Sequence, residues 1–110
     1  MEAGSRVTLV DAGGTEVDPS WEVVAQHRDA GTTIWLDLQA PADEDVERVG
    51  ALFSFHRLAI DDSQGFSQRA KLVVYEDHAF VVAFAANVDS EHDRTEVHCY
   101  YRPGVVVTVH

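Results

Sequence analysis

Two adjacent aspartates, Asp61 and Asp62, are followed shortly by two basic residues, Arg69 and Lys71. Neighbouring carboxylates suit a hard divalent cation: Mg2+ keeps several waters and accepts one or two carboxylates in octahedral geometry. The same residue types also do plain structural work. Aspartates at a helix end cap it or pair with a nearby cation, and arginine favours a two-point grip on a carboxylate. An aspartate committed to Arg69 is a poor metal ligand. From these residues alone, both the metal reading and the ion-pair reading stand.

The other chemistry-bearing residues point to less. The six histidines, His27, His56, His78, His92, His98 and His110, show no short ligand spacing, and Cys99 is the single cysteine. Structural zinc needs about four converging ligands. Adjacent strand residues face opposite ways, so His98 and Cys99 do not share one ion. His56 reads as a helix-end residue bonding a carbonyl, and Cys99 as a small buried side chain. His56 near Asp61 and Asp62 can be drawn as a relay. Nothing in the sequence, however, supplies an oxyanion hole or a glycine-rich phosphate cradle, and Gly13-Gly14 fits a hairpin turn. The chain does not read as an enzyme. Trp21 and Trp35 read as core or interface aromatics.

The chain has 110 residues, 45% hydrophobic and 25% charged, with a net charge of −11. That length supports one compact domain with one core. The negative charge argues against nucleic acid and against docking on anionic lipid. It is compatible with cations, although on most soluble proteins it only keeps the surface solvated. One cysteine allows no internal disulfide and fits a reducing compartment. Residues 1–6 lack the basic and apolar succession of a secretory signal. The longest apolar run, Ala79 to Ala86, is far below the ~20 residues of a spanning helix, so this piece is expected to be soluble.

The elements that must position these residues can be read from periodicity. Val7 to Val10 and Thr15 to Val17 form a hairpin around Ala12-Gly13-Gly14. Asp18-Pro19 reads as a helix start with Asp18 as cap, Val24 on its buried face and Gly31 as stop. Thr32 to Leu38 alternates as a strand, with Ile34, Leu36 and Leu38 on one face. A helix after Pro41 has an acidic first turn and buries Val46, Val49, Gly50 and Phe53. Phe55 to Asp62 reads as a short helix packed through Leu58 and Ile60. A polar loop then leads into a β meander: Lys71–Tyr75, Ala79–Val88, a charged loop over Asn87–Arg94, Glu96–Arg102 and Val105–His110. Ala79–Val88 is apolar on both faces and reads as a central strand covered on each side. Glu96, His98, Tyr100 and Arg102 read as a wetter face. Val105–Val109 is too apolar for an exposed last edge, which suggests that further chain covers it. The fold class is α+β: a mixed, largely antiparallel sheet of about six strands with two or three packed helices.

From Ile34 to His110 a series of short elements stands in order: Trp35-Leu36-Asp37-Leu38, the acidic helix after Pro41 and Leu52-Phe53-Ser54-Phe55-His56. It continues through Leu58-Ala59-Ile60-Asp61-Asp62, Gln68-Arg69-Ala70-Lys71, the turn Tyr75-Glu76-Asp77 and Val106-Val107-Thr108-Val109-His110. In this combination the sequence resembles the cytoplasmic domain of the CorA magnesium transporter family. Two positions depart from the family pattern: Arg57 and Ala70 stand where it usually has proline, losses that concern backbone stiffness more than chemistry.

The resemblance implies a single N-terminal domain over residues 1–110, incomplete at its C-terminal end, with the stalk and transmembrane helices absent. It implies a homopentameric divalent-cation transporter with this domain on the cytoplasmic side of the cell membrane, sensing intracellular metal at subunit interfaces. Asp62 matches the acidic residue that helps hold a regulatory Mg2+ against a carboxylate of the neighbouring subunit's stalk. Asp61 matches a position near a second ion, and Arg69 and Lys71 remain as structural ion-pair partners. The implied partners are sister subunits and divalent cations, with neither nucleic acid nor direct membrane contact by this piece. The alternatives are the same domain in a zinc transporter of the related branch, or a stand-alone soluble binding or interaction domain.

Overall fold

Strict alternation decides how the sheet is built. Side chains along a strand point to opposite faces, and Ile34, Leu36 and Leu38 are buried while Trp35 between them is exposed. The computed structural model describes residues 5–86 and 94–110. Among them seven strands form one sheet: β1 (Arg6–Asp11), β2 (Gly14–Val17), β3 (Ile34–Gln39), β4 (Lys71–Val74), β5 (Ala79–Ala86), β6 (Arg94–Arg102) and β7 (Val105–Val109). The order is β2-β1-β3-β7-β6-β5-β4. Only β3 and β7 run parallel among these neighbours. Three helices, α1 (Trp21–Ala30), α2 (Asp43–Phe53) and α3 (Arg57–Gln64), complete the α+β architecture.

One core lies between the helices and one face of the sheet. Leu9, Leu36, Val107, Tyr100 and Phe80 meet in register across five strands. Against them pack Val24 of α1, Val46, Val49 and Phe53 of α2, and Ala59 and Ile60 of α3. Helices α2 and α3 approach closely because Gly50 has no side chain. A Cβ there would stand 2.8 Å from the Ile60 side chain, inside van der Waals contact.

Several expectations are corrected. Asp18 is not the cap of α1. It sits at φ 50° and accepts a hydrogen bond from the Val7 N–H at 3.1 Å, tying the hairpin, while Ser20 caps through the Val23 N–H at 3.2 Å. Gly31 does end α1, at φ 70°. Leu58 is exposed because it lies on the solvent side of α3, which packs through Ile60, as expected, together with Ala59 and Ser63. Strand β7 is no edge: it lies between β3 and β6, and its apolar sequence reflects that central place. The edges are β2 and β4.

The polarity of two strands is also revised. The supposedly wetter face of β6 is the buried one: His98 and Tyr100 are inside, and Tyr101 opposite is exposed. The alternation is right, but burial of satisfied polar groups inverts its sign. Strand β5 is covered on one side only. Phe80 and Val82 are buried, whereas Ala83 and Ala85 are exposed on the helix-free face. Leu72, Val74, Trp35 and Tyr101 are exposed on the same face. Of the loop expected over Asn87–Arg94, residues 87–93 lie outside the described residues, as do the last two residues expected in β5, and Arg94 opens β6.

Candidate functional site: the acidic corner of α3

Helix α3 carries both aspartates, and its start is fixed by two histidines. The His56 ring accepts the Leu58 N–H through Nδ1 at 3.1 Å, so it caps the helix as an acceptor and, among the described residues, bonds no carbonyl. The His56 N–H is itself donated to Nε2 of buried His78 at 3.1 Å, and His78 Nδ1 lies 2.7 Å from Asp77. His56 also stacks on Tyr75, with ring centroids 4.3 Å apart. The turn before β5 thereby fixes the entry to the helix.

The two aspartates diverge from there, because successive helix residues point about 100° apart. Asp61 turns back toward Arg57, one helical turn earlier, whose Nε donates to it at 2.9 Å. The same guanidinium grips Glu47 of α2 at two points, both 2.7 Å. Arg57 holds the Glu47 carboxyl down to about 2, with help from Gln64. Glu47 in turn pushes the arginine further up. Asp62 instead faces β4, where the Lys71 ammonium donates to Oδ2 at 2.5 Å. That pair is partly sheltered, with side chains 33% and 26% exposed.

Of the two basic residues expected as partners, Lys71 takes Asp62. Arg69 is exposed and makes no ion pair among the described residues. Its expected place is filled by Arg57, which does chemical work that a proline could not do. The i,i+4 spacing of Arg57 and Asp61 was a readable signal. The reach of Arg57 across to Glu47 was not, since it depends on how α2 packs on α3.

Among the described residues no three histidine, cysteine or acidic side chains gather to hold a metal. His27 lies 3.6 Å from Asp11, and His110 lies 3.1 Å from Asp37. His78 and His98 are buried in separate hydrogen-bonded settings, and His92 lies outside the described residues. Cys99 is half-buried on the helix-free face, where burial pushes its thiol up. Trp21 packs against the core, and Trp35 donates its indole N–H to Thr108 at 2.9 Å on the helix-free face. No helix among the described residues is long and apolar enough to cross a membrane.

Residues 30–110 match the family described as CorA-like Mg2+ transporter protein. The chain belongs to that family. It is 34% identical over 76 residues to the Bacillus subtilis (strain 168) protein YfjQ, covering 69% of this chain and 24% of that protein. It is also 34% identical over 62 residues to the cobalt/magnesium transport protein CorA of Thermotoga maritima, covering 56% of this chain and 18% of that one. The chain thus spans about a quarter or less of the length of these relatives.

The CorA fold is shared as well. The soluble domain of CorA from Methanocaldococcus jannaschii superposes with a TM-score of 0.63 at 16% identity, covering 94% of this chain and 40% of that one. The full-length CmaX protein gives 0.69 at 12% identity, covering 99% of this chain and 35% of that one.

Proposed function

We propose that this chain is the cytoplasmic regulatory module of a CorA-like transporter of Mg2+ or another divalent cation, sensing intracellular metal where sister subunits of a homopentamer meet. The observation that carries this reading, beyond family membership, is the position of Asp62. It sits near the end of α3, partly exposed, with one carboxylate oxygen engaged by Lys71.

The donor set fits half of a regulatory Mg2+ site. One chain offers Asp62 and, turned aside, Asp61, with no third ligand gathered among the described residues. Mg2+ accepts such a sparse set when waters and one further carboxylate complete the octahedron. In this reading a neighbouring subunit supplies that carboxylate. Bound metal neutralises the facing acids across the interface, and without it they repel and loosen the contact, biasing a two-state gate. Lys71 is the internal competitor that keeps Asp62 paired meanwhile.

Calorimetry on the 110-residue chain tests this. Mg2+ should bind only weakly, on the order of millimolar, because the partner oxygen is missing. Sedimentation should show no pentamer of this piece. Micromolar binding that disappears in Asp62→Ala would show a site complete within one chain, and the interface account would fall.

A further inference from the structure

Inside the core, four hydrogen bonds run in a row from β6 to α3. Glu96 Oε2 lies 2.5 Å from His98 Nε2, and His98 Nδ1 lies 2.9 Å from Ser63 Oγ. Ser63 Oγ lies 2.5 Å from the Tyr100 hydroxyl, which donates to the Ala59 carbonyl at 2.8 Å. His98, Ser63 and Tyr100 are each no more than 2% exposed, so neither water nor a substrate reaches the middle of the chain.

Both ends of this row only accept. The Ala59 carbonyl has no proton to give. Glu96 takes the Ser67 N–H at 2.9 Å and the Gln68 N–H at 3.1 Å on Oε1, which is how an ionised carboxylate is solvated. Burial pushes the Glu96 carboxyl up, but hydrogen bonds from His98 and from the Gln68 and Ser67 amides outweigh it and leave it below the usual range. Burial pushes the Tyr100 hydroxyl well up, so it keeps its proton.

The protons can then be counted. Neutral His98, Ser63 and Tyr100 carry one mobile proton each, three for four hydrogen bonds. Any contact left without a proton would set lone pair against lone pair in a buried site, which is costly. One more proton closes the row.

We propose that this row is a proton-binding site built into the fold: at neutral pH His98 is held as an imidazolium between Glu96 and Ser63, and its loss at alkaline pH cuts the polar tether from β6 to α3. The surroundings leave Glu96 as the one carboxylate bonded to the ring among the described residues. Phe66 stacks on the ring at 4.3 Å, and Phe80 of β5 meets it edge-on at 5.5 Å. The in-register neighbours are Val82 of β5 and Val109 of β7. From α3 the nearest ionised neighbour in sequence is Asp62, already neutralised by Lys71 of β4, whose ammonium lies 5.9 Å from the Phe80 ring. The inference does not rest on the transporter reading, although Ser63 directly follows Asp62 and the tether holds the helix that carries it.

The linkage has a definite sign. The folded chain keeps a proton that the unfolded chain releases as pH rises through the ordinary histidine range near ~6.5. Its contribution to stability is complete below that range and lost above it, so the folding constant falls about tenfold per pH unit until the buried proton leaves.

Ring 15N NMR of the 110-residue chain reads the state directly. At pH 8, where a free imidazole is neutral, both His98 ring nitrogens should show the imidazolium pattern. Glu96→Gln is the matched variant. Its amide oxygen can keep the Ser67 and Gln68 contacts, and its amide N–H supplies the fourth proton covalently. In that variant His98 should be neutral at pH 8, with Nδ1 protonated, and the alkaline loss of stability should vanish. A neutral His98 in the unsubstituted chain at pH 8, or an imidazolium that survives in Glu96→Gln, would overturn the proposal.

Discussion

Tyr100→Ala is expected to cost about 3–5 kcal/mol, the range for truncating a fully buried aromatic. A domain of this size holds only ~5–15 kcal/mol in total. Tyr100 is 1% exposed, its ring lies 4.6 Å from that of Phe55 and 4.9 Å from that of Phe80, and its hydroxyl joins Ser63 to Ala59. Tyr100→Phe keeps the ring and removes only the hydroxyl. It leaves Ser63 and the Ala59 carbonyl short of a partner, at a cost of about 1–3 kcal/mol. Urea unfolding of the three chains separates packing from hydrogen bonding. Equal losses in both variants would mean that the ring contributes nothing, contrary to its place at the centre of the core.

Arg57→Ala should return Glu47 to ordinary behaviour. With Arg57 in place the carboxyl is held down to about 2 against a usual value of 4.5. Without it the midpoint should climb back toward 4.5, visible in a carboxyl-carbon NMR titration. The sign follows from the depressed value: the ion pair stabilises the fold above pH 4.5, and that contribution fades as pH falls toward 2. Both side chains are half-exposed, so added salt should weaken the effect. A Glu47 midpoint unchanged by the substitution would show that the two-point contact does not persist in solution.

Much of the fold was legible because alternation and helical spacing are local signals. The hairpin, the buried set Ile34, Leu36 and Leu38, and the face of α2 with Val46, Val49, Gly50 and Phe53 all follow from them. What was not legible depends on partners distant in sequence. Strand β7 is central because it pairs with β3, some seventy positions earlier; the apolar run Val105–Val109 signals that it is covered but does not name that partner. His98 and Tyr100 looked wet because their polar atoms were visible, while Ser63 and the Ala59 carbonyl that satisfy them sit on another element. At the acidic corner, Asp61, Asp62 and Lys71 could be singled out from residue type. The i,i+4 spacing of Arg57 and Asp61 was readable too, but the reach of Arg57 to Glu47 was not, since it is made by the packing of α3 on α2.

Sensing of intracellular metal by Asp62 across a subunit boundary is what we propose for this module. Its most direct test is divalent-cation flux through a complete protein carrying this module, reconstituted in vesicles, while internal Mg2+ is raised. Asp62→Asn should need ~5-fold or more internal Mg2+ to close, the scale of a typical coupling between sites, with the open-state flux unchanged. Closure at the same internal Mg2+ in both proteins would contradict the account.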